Sequence, residues 1–155
     1  MIIAFFGHSS ITDSNTLKAL LNETIRGVIC TNEKVSFYLG GYGDFDKLSA
    51  QVCRSVKKDF PNTETVFISP YFSASYQKKI KEMEQIGLYD ASIYPPLESV
   101  PPRVAIVKRN EWIANNADLI IAYVTHSHGG AYQAIKYAEK IGKRIINLAL
   151  KLDAK

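Results

Sequence analysis

Residues 103–150 read RVAIVKRNEWIANNADLIIAYVTHSHGGAYQAIKYAEKIGKRIINLAL, and they divide into a helix, a strand, a loop, a helix and a strand. The first helix covers roughly 103–116, the strand is DLIIAYV, the loop is THSHGG, the second helix is AYQAIKYAEKIGK, and RIINLAL closes the stretch as a strand. A buried strand that empties through Gly129-Gly130 into a helix presents backbone N–H groups to a phosphate. The inner face of that helix (Ala131, Ala134, Ile135, Ala138, Ile141) is small enough to lie close on a sheet. The helix before it carries an anomaly. Ala105, Ile106, Trp112 and Ile113 form its apolar stripe, and Arg109 stands in the middle of them at i±3 and i±4 spacing. A buried arginine is costly unless an acidic partner or an anion meets it. Its planar fork suits a phosphate or a carboxylate.

Upstream, the pattern alternates. MIIAFF at 1–6 is a continuous apolar run, as in a strand covered on both faces. Thr12, Asp13 and Ser14 are good N-caps for a helix whose stripe is Leu17, Leu20, Leu21, Thr24, Ile25 and Val28. VSFYL at 35–39 is a second strand, followed by Gly40-Gly41-Tyr42-Gly43 and a helix that Pro61-Asn62 stops. TVFIS at 65–69 is a third strand. A narrow-striped surface helix spans about 75–86, and DASIY at 90–94 is a short strand. Four prolines between 95 and 102 allow neither a helix nor a central strand, so this segment is an ordered connector. Strands alternating with helices through short connections predict an α/β fold: one domain over 1–155, three layers, a mainly parallel central sheet flanked by helices.

The formal charge of +4 comes from scattered lysines, which read as solvated helix faces rather than a nucleic-acid stripe. No apolar run is long enough to span a bilayer, and the N-terminus lacks a basic leader, so no membrane partner and a cytoplasmic location are expected. Cys30 and Cys53 have no metal-ligand spacing and fit apolar helix positions, which predicts two buried free thiols.

In a parallel sheet, ligands bind beyond the strand C-termini. Four loops should leave that edge: Gly7-His8-Ser9-Ser10, Gly40 to Asp44, Ser69-Pro70-Tyr71, and Thr125 to Gly130. Any one of them could be only a turn; four on one edge favour a site. The Gly40-Gly41-x-Gly43 run lacks the GxGxxG spacing, no acidic residue is placed after a following strand to hold a ribose, and no Walker motif occurs. Asp44 and Asp46 are candidate catalytic carboxylates, although Asp44 stands where an N-cap should be. His8, His126 and His128 could meet at the edge. A hydrogen bond to a phosphate or sugar suits them better than zinc, because no metal-binding helix motif accompanies them. Ser9, Ser10 and Ser127 lack a nucleophile elbow.

RNEWIANNADLIIAYVTHSHGGAYQAIKYAEKIGKRI, with the AFFGH opening and GGYGDFDKLSA in the same order, resembles small bacterial proteins of the SLOG superfamily, which joins the Smf/DprA DNA-processing proteins to the LOG enzymes. The resemblance implies a Rossmann-like fold that binds nucleotides or their derivatives at the strand ends. LOG enzymes cleave the N-glycosidic bond of cytokinin nucleotides with an Arg on the helix before a PGGxGTxxE loop, whose Glu assists. Arg109, Gly129 and Gly130 match. His128 replaces the Pro, Tyr132 and Gln133 replace Gly-Thr, and Lys136 stands in place of the Glu, which removes the acid/base group.

The expected function is nucleotide binding or sensing without a cofactor or metal, the ligand held by Gly7, His8, Ser9, Gly40, Gly41, Asp44, Arg109, Thr125, His128, Gly129 and Gly130. Two alternatives remain at this stage. One is a nucleotide-processing enzyme (N-glycosidic cleavage, phosphoribohydrolase or deoxyribosyltransferase-like), with Asp44, Asp46 or Glu111 supplying the carboxylate. The other is single-stranded DNA binding of the Smf/DprA kind. Tyr71, Phe72, Tyr89 and Tyr94 could serve a homo-oligomer interface, line the pocket or sit singly exposed.

Overall fold

The structure, a computed structural model, describes residues 1–30 and 32–153. Its strands are β1 (Ile2–Gly7), β2 (Val35–Leu39), β3 (Thr63–Ile68), β4 (Ala91–Ile93), β5 (Leu119–Tyr123) and β6 (Ile145–Asn147). They form one sheet in the order β4-β3-β2-β1-β5-β6, and every pairing is parallel. The helices are α1 (Ser14–Val28), α2 (Asp44–Asp59), α3 (Ala74–Gln85), α4 (Ala105–Asn116), α5 (Gly130–Lys140) and α6 (Leu148–Asp153). The proline connector closes with a 3-10 turn, Pro102–Val104, that leads into α4.

The two-residue period of the strands separates two cores. Ile3 and Phe5 of β1, Phe37 and Leu39 of β2, and Leu119 and Ile121 of β5 face the side of α1, α2 and α6. Ala4 and Phe6, Tyr38, and Ile120 and Ala122 face α4 and α5. On the second face Ala4 of β1 and Ala122 of β5 meet Ala134 and Ala138 of α5 in one cluster, so small residues stand on both sides of this contact. The strand order reverses direction between β1 and β5, which places a crevice between the loops that leave them. Among the described residues, no helix is long and apolar enough to cross a membrane.

Most expected elements occur within a residue or two of their predicted bounds. Asp13 caps α1, its carboxylate accepting from the Thr16 N–H. Four expectations need correction. Tyr89, expected at an interface, in the pocket or exposed, is 4% exposed and packs in the core against Phe67. Gly43, not Asp44, is the N-cap of α2, and Asp44 is its first residue. Cys53 is buried as expected, but Cys30 lies just beyond the end of α1 and is exposed. The last strand stops at Asn147, and residues 148–153 are helical rather than extended. The Asn147 side chain explains that stop. Its Oδ1 accepts from the N–H groups of Val124 (3.1 Å) and Ala149 (3.2 Å), and its Nδ2 donates to the Val124 carbonyl at 3.0 Å. One amide thus takes over the next rung of the ladder and caps the following turn.

Asn147→Ala therefore loses three hydrogen bonds and should lower the unfolding free energy by about 1–3 kcal/mol. Asn147→Asp, which keeps the acceptor, should lose less. Urea midpoints measure both, and an unchanged midpoint for the alanine variant would remove Asn147 as the stop.

Candidate functional site

A cavity of about 390 Å³ opens at the C-terminal edge of the sheet, above β2, β1 and β5. That size suits a small-molecule ligand. Its wall includes Gly7, His8 and Ser9 from the β1 loop, Gly40 and Tyr42 from the β2 loop, and Gly129 and Gly130 from the β5 loop. Arg109 and Asp46 also line it. Three of the four expected loops thus converge. The fourth, Ser69 to Tyr71, turns on itself through the Ser69 hydroxyl, which donates to the Tyr71 carbonyl.

Arg109 is 3% exposed, in the middle of the buried stripe Ala105–Arg109–Ile113 of α4. Its Nη1 donates to the Ile68 carbonyl at 2.7 Å and to the Gly40 carbonyl at 3.0 Å, and its Nε donates to Asn110 Oδ1 at 2.9 Å. These are the open carbonyls where β3 ends and the β2 loop begins. Three of the five guanidinium N–H groups are thereby used, and the two on Nη2 meet no protein acceptor among the described residues. Nor does any carboxylate there form an ion pair with Arg109 within 4.0 Å. Of the two partners considered, an acid or an anion, no acid pairs with it among the described residues; backbone carbonyls meet it instead, which leaves a net cation on the cavity floor. Burial pushes the guanidinium down from its ordinary value, and Asp46 is the first of the groups that oppose the shift.

Asp46 is 8% exposed and occupies the third position of α2. Its Oδ2 accepts from the Tyr42 N–H at 2.9 Å, as an acidic residue at the end of a helix's first turn often does for the residues just before it. Burial pushes its carboxyl up to about 6, against the pull of the Tyr42 N–H and the Arg109 charge.

The two helix N-termini at this edge differ. At α2, the Asp44 and Phe45 N–H groups donate to the Ser9 and His8 carbonyls, so the β1 loop closes that end. At α5, the N-cap is Gly129, which has no capping side chain, and the N–H groups of Gly130, Ala131 and Tyr132 have no acceptor among the described residues. The glycines differ in the same way. A Cβ on Gly7 would fall 2.2 Å from the Phe45 ring, one on Gly40 would fall 3.0 Å from the guanidinium of Arg109, and one on Gly41 would fall 2.3 Å from Phe67. A Cβ on Gly129 or Gly130 would meet nothing within 4 Å. At Gly7 and Gly41 the fold leaves no room for a side chain, at Gly40 the guanidinium would have to give way slightly, and the last pair borders open space.

The remaining expected residues divide between wall and support. Thr125 does not line the cavity; its N–H donates to His8 Nε2 at 2.7 Å, which ties the β5 loop to the β1 loop and fixes the His8 proton on Nδ1. Burial, then the neighbouring His126 and His128, hold the His8 imidazole below 6.5. His8 stacks on His126 at 3.8 Å between ring centroids, and His126 on His128 at 4.0 Å. His126 lines the cavity, whereas His128, expected there, lies outside it. Gly41 and Asp44 are also outside; the Asp44 carboxylate accepts from the Ile11 N–H. Among the described residues, no group of three His, Cys, Asp or Glu side chains could hold a metal. Lys136 is exposed and pairs with Glu139.

Asn110 and Ile106 also line the cavity and were missed. Ile106 was read as core, yet it is 38% exposed and forms an apolar patch of wall. Asp46 was signalled by its place in the first turn of α2, but nothing in the spacing said that it faces Arg109 across a cavity.

No protein-family profile matches the chain. A sequence relative is the uncharacterised SPbeta prophage-derived protein YoqJ of Bacillus subtilis strain 168, 25% identical over 140 residues that span 80% of this chain and 81% of YoqJ. Among solved structures, the structural-genomics target TM1055 superposes over 99% of this chain and 81% of its own, with a TM-score of 0.62 at 15% identity. DNA processing protein A (DprA) of Streptococcus pneumoniae matches at TM-score 0.62 and 17% identity over 92% of this chain. DprA of Helicobacter pylori, described for its single-stranded DNA binding mode, matches at 0.56 and 17% over 94%. This chain spans 48% and 63% of those two DprA chains. The fold is the Rossmann-like fold of the DprA proteins, in agreement with the SLOG resemblance read from the sequence.

The position of Asp46 makes stability depend on pH. Its folded value of about 6 lies above the ordinary 3.8, so the folded protein holds a proton that the unfolded chain releases. The stability that Asp46 supplies is therefore full below 3.8 and is lost as pH rises through 6, by on the order of 3 kcal/mol. Relative to the native protein, Asp46→Asn should gain stability between about pH 4 and about pH 8 by urea denaturation. An equal difference at the two pH values would contradict a buried neutral carboxyl.

Proposed function

We propose that the protein binds a nucleotide or nucleotide derivative in this cavity, with a phosphate seated at the N-terminus of α5 and the unused Nη2 of Arg109 reaching it or its ester oxygens from the floor. One observation carries the reading. The cavity combines an uncapped helix N-terminus with a buried arginine that has two N–H groups to spare. Backbone N–H groups and the helix dipole favour an anion there, and a guanidinium adds charge-assisted hydrogen bonds. The flat His8–His126 stack beside them offers a π-face to a base.

An enzymatic reading rests on Asp46 alone. Of the three carboxylates considered from the sequence, only Asp46 lines the cavity, and a carboxyl near 6 can exchange a proton at physiological pH. Release of free base from nucleoside 5′-monophosphates, lost in Asp46→Asn, would support it; no release by the native protein would dismiss it.

Binding is tested by thermal shift and calorimetry with nucleoside 5′-monophosphates, the matching nucleosides, and a single-stranded DNA oligonucleotide. At a hundredfold excess over Kd, a bound nucleotide should stabilise by about 2.7 kcal/mol, or roughly 5–10 °C in Tm, and the nucleosides should not. Gly130→Leu should leave the ligand-free Tm unchanged or raised, because its side chain enters open space, and should abolish binding. No shift with millimolar nucleotide, or binding that survives Gly130→Leu, would overturn the reading. A salt-sensitive complex with the oligonucleotide alone would favour a DprA-like ligand instead.

A further inference from the structure

Arg109 and Asp46 are both buried, both line the same cavity, and each keeps an unused terminal atom. On Arg109 it is Nη2, a donor; on Asp46 it is Oδ1, which receives no hydrogen bond from the described residues, since the Tyr42 N–H engages Oδ2. The two side chains come from opposite faces of the sheet, Arg109 from α4 and Asp46 from α2. They do not close on each other: no nitrogen of one lies within 4.0 Å of an oxygen of the other. Separated buried charges forgo the short contact that would offset their desolvation. A third group between them, able to accept from Nη2 and donate to Oδ1 at once, completes the arrangement.

A phosphate dianion accepts but cannot donate, and its charge beside the Asp46 carboxylate is repulsive. An alkyl group can do neither. A hydroxyl does both. At pH 7.5, above its value of about 6, Asp46 is ionised and can only accept. The titratable side chains that bear on it, Arg109 of α4 and Tyr89 of the α3–β4 connection, leave that requirement unchanged.

Resting on the phosphate-binding reading above, we infer that Asp46 selects the ligand by its sugar: a ribose hydroxyl bridges Arg109 Nη2 and Asp46 Oδ1, so the site takes ribonucleoside phosphates in preference to deoxy analogues. The cavity is then bipolar: the α5 N-terminus and one Nη2 N–H serve the phosphate, and the second Nη2 N–H with Asp46 serves the sugar. A carboxylate that follows the second strand and holds ribose hydroxyls is a solution other Rossmann-like sites use. Here it stands in the first turn of α2, where the glycine spacing did not announce it.

Calorimetry at pH 7.5 on the full chain tests this with the ribonucleoside 5′-monophosphate that binds tightest, its 2′-deoxy, 3′-deoxy and 2′-O-methyl forms, and inorganic phosphate. A hydrogen bond to a charged group predicts about a tenfold to hundredfold weaker Kd for at least one deoxy form. If the 2′ position is the one engaged, the 2′-O-methyl form, which keeps the acceptor and loses the donor, should weaken alike. Asp46→Asn keeps an oxygen for the Tyr42 N–H but replaces the charged acceptor at the gap with a neutral amide donor, so it should narrow the ribo-to-deoxy ratio severalfold while retaining phosphate. Equal Kd values for ribo, 2′-deoxy and 3′-deoxy ligands on the native protein would overturn the inference with phosphate binding intact. Absence of binding by every phosphate would overturn the phosphate reading itself. The ligand series on the native chain decides the matter even if the variant fails to fold.

Discussion

The C-terminal edge of a parallel sheet is a row of open carbonyl oxygens, and this protein answers part of that row with one guanidinium. Arg109 reaches the end of β3 at Ile68 and the first residue of the β2 loop at Gly40 with a single nitrogen. Much of the architecture near the site follows from seating that cation. A Cβ at position 40 would press on the guanidinium at 3.0 Å, so glycine there leaves the cation undisturbed. The proline connector ends in a 3-10 turn that runs directly into α4, the helix that carries the arginine. Ala105 and Ile113, one turn to either side of Arg109 on α4, are buried with it, so the arginine lies within the packed face of the helix rather than projecting into water.

Because the guanidinium is satisfied mostly by neutral carbonyls, its charge is not cancelled in place. The carboxylate nearest in role, Asp46, is held across the cavity by its own backbone partner, Tyr42 N–H. The result is a polar gap in a wall that is otherwise partly apolar, from Phe6 and Ile106. Such a site is organised before any ligand arrives, since both charged ends are fixed by hydrogen bonds to the main chain or to a neighbouring side chain.

The fold was legible because the strands are short and mostly apolar, several of them ended by glycine or proline, and each long helix shows a stripe at helical spacing. Arg109 was legible for the same reason: a charge at the centre of an apolar stripe contradicts the pattern around it. Position 147 was not, since IINLAL continues as a strand by composition, and only the reach of one asparagine amide to Val124 and Ala149 converts it to a turn. Cys30 departs from the expectation because α1 ends at Val28, two residues before the apolar run Val28-Ile29-Cys30 does. The glycine-rich loops were read as one kind of feature, although steric room divides them: crowding by Phe45 and Phe67 explains Gly7 and Gly41, and this depends on side chains distant in sequence. The choice between His126 and His128 depended on which face of a ring stack meets the cavity, a matter of loop geometry that no spacing encodes.

That division among the glycines bears on how such a chain can diverge. Gly7 and Gly41 are held by folding, whatever the protein does, because a side chain there collides with Phe45 or Phe67 of the core, whereas Gly40 is tied to the guanidinium of Arg109 and so to the site. Gly129 and Gly130 are free of that constraint, and Gly130 is free even of a demanding backbone angle. A lineage that abandoned its ligand could therefore lose the α5 glycine at position 130 first while keeping Gly7 and Gly41 indefinitely. Retention of both classes together would mark selection on binding, and retention of the crowded class alone would mark a scaffold kept after its chemistry had been released.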